Sequence, residues 1–159
     1  MTSGSNYECR HEIARGGMGA VLEARDMRLD RTVAMKVMLP GQAGAAERDR
    51  FHLEARVLGK LAHPNIVPIH DVGVDELGQE FYTMKLVEGT TLNAILIKLA
   101  RGDRETLKNY PLNSLLTIFQ KVCDAVGFAH AHGIIHRDLK PDNIMVGAFG
   151  EVLVMDWGL

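Results

Sequence analysis

Long apolar runs are missing from this chain. No stretch approaches the roughly 20 apolar residues that a membrane-spanning helix needs, and the short polar start, Met1 to Glu8, has no signal-peptide core. The expectation is a cytoplasmic polypeptide, with an anchor beyond residue 159 left open. Cysteine is scarce: Cys9 and Cys123 lie far apart without metal-ligand spacing. They read as buried or half-buried free thiols in a reducing compartment, not as a disulfide or zinc framework. One-sided charge is missing too, since 18 basic and 20 acidic residues are interspersed and leave a formal net charge of -2. No basic stripe interleaved with aromatics offers a nucleic-acid surface, so no nucleic-acid partner is expected. Repeats and low-complexity segments are absent as well. What remains is a globular composition, 47% hydrophobic and 24% charged, which argues against disorder. At 159 residues the chain suits one domain, or a two-lobed unit with a modest core in each lobe.

The first third reads as β-hairpins. Tyr7 to Ile13 and Ala20 to Arg25 are strand candidates around a glycine-rich turn, Ala14 to Gly19, and Asp26 to Arg31 is a polar turn. Along Thr32 to Leu39, alternation puts Val33, Met35, Val37 and Leu39 on one face and Ala34, Lys36 and Met38 on the other. Gly41 to Gly44 is a loop, and Ala46 to Leu61 turns helical, with Phe51, Glu54, Leu58 and Leu61 on one side. His63-Pro64-Asn65 ends that helix. Ile66 to Val74 and Phe81 to Val87 follow as strands joined near Gly78. After Gly89 the pattern is mainly helical, which suggests a lobe boundary. Thr91 to Leu99 is a helix, Arg101 to Pro111 a charged loop, and Leu115, Leu116, Phe119, Val122, Cys123 and Val126 follow helical spacing up to a stop at Gly133. Ile144 to Val146 and Val152 to Val154 form a hairpin that sets Asn143 beside Asp156.

Three features carry chemistry. The turn Ala14-Arg15-Gly16-Gly17-Met18-Gly19 can fold its N–H groups over a polyphosphate, although glycine-rich hairpin turns are also common without one. Glu54 on an apolar helix face calls for a partner, and Lys36 on its strand can supply it; a solvated edge is the alternative reading. The run His136-Arg137-Asp138-Leu139-Lys140-Pro141-Asp142-Asn143 gathers three potential acid or base groups, a lysine and an amide in one loop. There Asp138 can accept a proton from a hydroxyl and Lys140 can neutralise a transferring phosphoryl group. Asn143 and Asp156 offer hard oxygen donors that suit magnesium rather than zinc. The other histidines show no ligand spacing; His130 and His132 read as helix-end caps. The eight methionines read mainly as core fillers.

In order and position these residues resemble the protein-kinase signature set, and the serine/threonine branch of bacterial type in particular. Ile13 to Val21, including Ala20, resembles the nucleotide-covering loop. Val33-Ala34-Met35-Lys36 resembles the lysine strand, HRDLKPDN the catalytic loop, and Asp156-Trp157-Gly158 the metal motif that follows it. The resemblance implies an α+β kinase-like fold, with a β-rich N-lobe bearing one regulatory helix (residues 1–88) and the start of a mainly helical C-lobe (residues 89–159). It further implies ATP and magnesium, and transfer of the γ-phosphoryl group to serine or threonine hydroxyls of a protein substrate. Asp138 would be the base, Lys140 a phosphate contact, and Asn143 and Asp156 the metal ligands. Lys36, held by Glu54, would reach the phosphates. Met84 would back the adenine pocket, Lys85, Leu86 and Val87 would form the hinge, and Val21, Ala34 and Met145 would sandwich the base.

Three departures stand out. Ala14 occupies the place of the usual first loop glycine. Trp157 replaces a phenylalanine and is expected to pack against Leu58 and His136. The sequence stops at Leu159, before any activation segment, so an exposed apolar face on the Leu112 to His132 helix, marginal stability and little or no activity are expected of these residues alone. A non-catalytic module that binds nucleotide or a partner is the second reading, and a small-molecule phosphotransferase of related fold a more distant third.

Overall fold

The computed structural model describes residues 2–3, 6–16, 19–39 and 44–157. They fall into two compact units, one of Met1–Lys60 with Pro68–Leu86 and one of Leu61–Val67 with Val87–Leu159.

The first unit holds β1 (Thr2–Ser3), β2 (Tyr7–Gly16), β3 (Gly19–Asp26), β4 (Arg31–Val37), α1 (Ala45–Lys60), β5 (Ile69–Val74) and β6 (Glu80–Lys85). Its antiparallel sheet has the order β1-β2-β3-β4-β6-β5. Cross-strand pairs Val21 with Lys36, Lys36 with Tyr82 and Ala34 with Met84 place these side chains on one face. On the other face, Tyr7, Ala20, Ala24, Val33, Met35, Val37 and Phe81 form the core, as the alternation along β4 requires. The sheet curls, because the Tyr7 hydroxyl on β2 donates to Asp71 on β5 at 3.0 Å while its ring meets Phe81 edge-on. The turn after β3 closes around Asp26, whose buried carboxylate accepts from the Arg28 and Leu29 N–H groups at 3.1 and 3.3 Å and from Arg31 at 3.2 Å.

The second unit holds β7 (Gly89–Thr91), α2 (Leu92–Ala100), α3 (Arg104–Asn109), α4 (Leu112–Ala131), a single 3-10 turn over Pro141–Asn143, β8 (Ile144–Gly147) and β9 (Val152–Val154). β8 lies between β7 and β9. The outer edge of β9 is occupied by Asn65, whose carbonyl accepts from Val154 N at 2.8 Å and whose amide donates to the Val152 carbonyl at 3.0 Å. α4 ends where sequence places its stop: Gly133 has φ 73°, and Ile134 N bonds back to the Ala129 carbonyl at 2.9 Å. His132 closes the same end through its Nδ1 and the Phe128 carbonyl, 2.8 Å apart.

Several expectations need correction. The segment 101–111 is not a loop throughout. α3 forms there because the Asp103 carboxylate accepts from Thr106 N at 2.8 Å and from its hydroxyl at 2.6 Å, a cap that needs no apolar periodicity. The glycine-rich turn is shorter than expected, since pairing runs to Gly16 opposite Gly19. The strand expected from Ile66 starts at Ile69. Pro68 has no N–H to continue a ladder, and Ile66 makes a lone parallel bridge to Val154. β7 had no clear sequence signal, and Thr91 serves as the N-cap of α2, its hydroxyl accepting from Ala94 N at 3.1 Å. α4, by contrast, carries the exposed apolar face expected of it, with Leu112, Leu116 and Phe119 exposed, and its buried stripe is Ile118, Val122, Ala125 and Ala129. Cys9 is half-buried but Cys123 is exposed, and both are free.

Gly89 pairs with Gly147, and a Cβ on it would collide with the Val146 carbonyl oxygen. Gly89→Ala is therefore expected to destabilise the chain by about 1–3 kcal/mol, measured as a shift in the chemical-denaturation midpoint.

Candidate active site

In the first unit, Lys36 projects from β4 toward α1. Its Nζ donates to both Glu54 carboxylate oxygens, at 2.8 and 2.7 Å. The Tyr82 hydroxyl on β6 donates to Glu54 Oε1 at 2.8 Å, and the Lys36 ammonium stands 5.8 Å above the Tyr82 ring. Glu54 is 3% exposed. A carboxylate this buried needs its charge matched, and here a cation and a hydroxyl match it. The strand-to-helix pair is present, and the Tyr82 contribution was not foreseen. Tyr82 sits in a run, Glu80 to Lys85, whose sequence reads only as an ordinary strand.

The second unit collects the acid, the amide and the second lysine. The 3-10 turn aims Asn143 back at the loop, so that its Nδ2 donates to the Asp138 carbonyl at 2.8 Å and to Asp138 Oδ2 at 3.3 Å. Asn143 is buried, and its amide oxygen is left as the atom able to face a cation. Its own carbonyl accepts from Met155 N at 2.7 Å, which extends the hairpin toward Asp156. Lys140 Nζ lies 3.0 Å from Asp138 Oδ2. That contact, helped by proximity of charge and by Asn143, holds the Asp138 carboxyl below the ordinary carboxylate range, while the same contact raises Lys140, which also feels Asp142 and Asp156.

Two residues of this region have left-handed backbones, Arg137 at φ 70° and Asp156 at φ 52°, a conformation that non-glycine residues adopt at an energetic cost. The buried His136 links them. Its Nε2–H donates to the Met155 carbonyl at 2.7 Å, and its Nδ1 accepts from Asp138 N at 3.3 Å. Sequence reasoning placed it only as a packing partner of Trp157, not as the link between these backbones; its histidine-before-arginine position was the available signal. Trp157 lies against it, ring centres 4.7 Å apart, with its indole N–H donating to the Val154 carbonyl at 3.1 Å. Among the described residues no three histidine, cysteine or acidic side chains gather as a metal cluster. A pair of oxygen donors is nevertheless the kind of site that magnesium, which keeps several waters, accepts.

The protein kinase domain family matches residues 7–159. The chain belongs to that family. This kinase chain is 40% identical over 157 residues to the serine/threonine-protein kinase PknD of Chlamydia trachomatis serovar D, covering 96% of the chain and 17% of that protein. It is 39% identical over 158 residues to PknD of Protochlamydia amoebophila, covering 96% and 16% respectively. It thus spans less than a fifth of the length of these relatives. Among solved structures, the PknI kinase domain of Mycobacterium tuberculosis superimposes with a TM-score of 0.72 at 26% identity, over 99% of this chain and 59% of that one. The C20A mutant of the same domain gives 0.71 at 26% identity, over 99% and 61%. The fold is the α+β protein-kinase fold, a β-rich N-lobe followed by the start of the C-lobe.

The remaining candidate positions of this kinase domain lie as follows. Ile13, Ala14, Arg15 and Gly16 are on the exposed end of β2, where Arg15 pairs with Glu12 at 2.6 Å. Gly19 and Ala20 are buried and Val21 half-buried on β3. Ala34 and Met84 are buried partners on β4 and β6, and Lys85, Leu86 and Val87, half-buried, follow them. Met145 is half-buried on β8. Gly17, Met18 and Gly158 lie outside the described residues. No helix among the described residues is long and apolar enough to cross a membrane.

Two outcomes follow. Glu54→Ala strands the Lys36 ammonium, and unfolding experiments should show a loss of about 3–5 kcal/mol. Asp138 should titrate below the ~3.9 of a free aspartate when followed by carboxylate NMR, so that it stays ionised until the pH falls through that lowered value; Lys140→Met should move the midpoint upward.

Proposed function

We propose that the protein carrying this chain is an ATP-dependent protein kinase that transfers the γ-phosphoryl group of magnesium-ATP to serine or threonine hydroxyls of proteins. The observation that carries this reading is the Asp138 carboxylate, kept ionised by Lys140 and steadied by Asn143. Family membership and the two PknD relatives support it. Residues 1–88 act as the N-lobe and residues 89–159 as the beginning of the C-lobe, with proteins as substrates.

The chemistry divides among named side chains. Asp138 orients the substrate hydroxyl and accepts its proton as the oxygen bonds to the γ-phosphorus and the bond to the β-phosphate oxygen breaks, releasing ADP. Lys140 lies beside Asp138 and neutralises charge on the phosphoryl oxygens. The Asn143 amide oxygen and the Asp156 carboxylate hold magnesium, which when bound screens the phosphate charges. Lys36, kept in place by Glu54 and Tyr82, contacts the α- and β-phosphates. Ile13 to Val21 covers the nucleotide, Val21, Ala34 and Met145 contact the base, Met84 backs it, and the backbone of Lys85 to Val87 bonds its edge.

Magnesium-dependent ATP binding, measured by calorimetry, tests the reading. Binding should fall at least tenfold in both Lys36→Met and Asp156→Ala. Phosphorylation of a serine-containing peptide by the protein carrying the chain should fall by at least a hundredfold in Asp138→Asn, since general-base assistance is worth ~10²–10⁴. A wild-type protein that folds but binds no nucleotide would sink the proposal in favour of a partner-binding module.

A further inference from the structure

Alternation along β6 points Glu80 and Tyr82 to the same face of the sheet, two residues apart, while Phe81 between them enters the core. Tyr82 meets Glu54 on α1. Glu80 meets α1 as well, two residues earlier on the helix: its Oε2 lies 3.1 Å from His52 Nε2. That oxygen is buried and has no hydrogen-bond partner among the described residues, although the imidazole stands at ion-pair distance. A buried carboxylate oxygen without a donor is costly and calls for an explanation. The backbone around it is fixed, since Glu80 pairs with Val74 on β5 and its carbonyl accepts from Met38 N at 3.1 Å. The adjustable partner is therefore the helix.

We propose that His52 and Glu80 form a second fastening of α1 to β6, and that both are positioning residues for Glu54. Helix residues 52 and 54 meet strand residues 80 and 82, so that a slide of α1 along β6 breaks both contacts together. The His52 side chain is 42% exposed, against 4% for Glu54. The outer contact is thus the one open to solvent, and the inner one carries the ion pair with Lys36. This deepens the proposed role of Lys36 and Glu54 and takes its functional meaning from it, but the contact can be tested with no nucleotide present.

The test compares the wild-type chain with His52→Ala, Glu80→Ala, the double variant and His52→Gln, whose amide keeps a donor at similar reach. Amide hydrogen exchange along α1 is read by NMR, together with the Glu54 carboxylate carbon signal, assigned by its loss in Glu54→Gln. Both alanine variants should exchange roughly fivefold faster around Glu54, as expected for the loss of one polar contact. They should also shift the Glu54 signal, the double variant should be no worse than the singles, and His52→Gln should restore wild-type behaviour. Unchanged exchange, effects that add in the double variant, or a glutamine variant that behaves like alanine would each overturn the fastening. Where Glu80→Ala unfolds, Glu80→Gln, which keeps the shape, takes its place. Failure of ATP binding leaves these readouts intact, so the two proposals fall separately.

Discussion

Strand alternation is the constraint on which the rest of this molecule depends. A side chain on β4 or β6 faces either the core or the opposite side, and the register of the pairs makes that choice common to neighbouring strands. One face collects Val33, Met35, Val37 and Phe81. The other collects Val21, Ala34, Lys36, Tyr82 and Met84, the positions to which chemistry is assigned. A slip of one residue would bury Lys36 in the core and turn Met35 outward. The apolar residues that stabilise the sheet therefore also fix where the charged ones stand.

The same economy governs the short hairpin of the second unit. β8 and β9 place Asn143 and Asp156 at their paired ends, and the bond from Met155 N to the Asn143 carbonyl continues the ladder beyond the last strand residue. Asn65 saturates the free edge of β9. The loop before β8 is held by side chains rather than by a ladder. His136 and Asn143 bond to the backbone of Asp138, and Asn143 alone of the two also reaches its carboxylate.

Much of this was legible in the residues, for an identifiable reason: where a motif is local, sequence spacing and spatial spacing coincide. HRDLKPDN and the hairpin that follows lie within two dozen residues, so Asp138, Lys140, Asn143 and Asp156 could be placed as neighbours from the strand lengths alone. The Lys36–Glu54 pair was readable because a carboxylate on an apolar helix face demands a cation. Tyr82 and Glu80 were not, because nothing local tells which polar residue of a strand will meet a helix. α3 was missed because its stability comes from one aspartate cap on a mostly polar stretch. The exposed apolar face of α4, with Leu116 and Phe119, was expected, whereas its buried stripe runs through Ala125 and Ala129, too small to stand out in an apolar pattern.

Asp156 shares its left-handed backbone with Asp30, which lies at φ 47° in the turn before β4. Glycine adopts that conformation without a steric penalty, so replacement at either position relaxes the chain. Glycine at Asp30 would trade that relief against its ion pair with Arg25, whereas under the proposed chemistry glycine at Asp156 would be ruinous. A backbone that glycine would ease is thus, under the proposed chemistry, one that must stay strained.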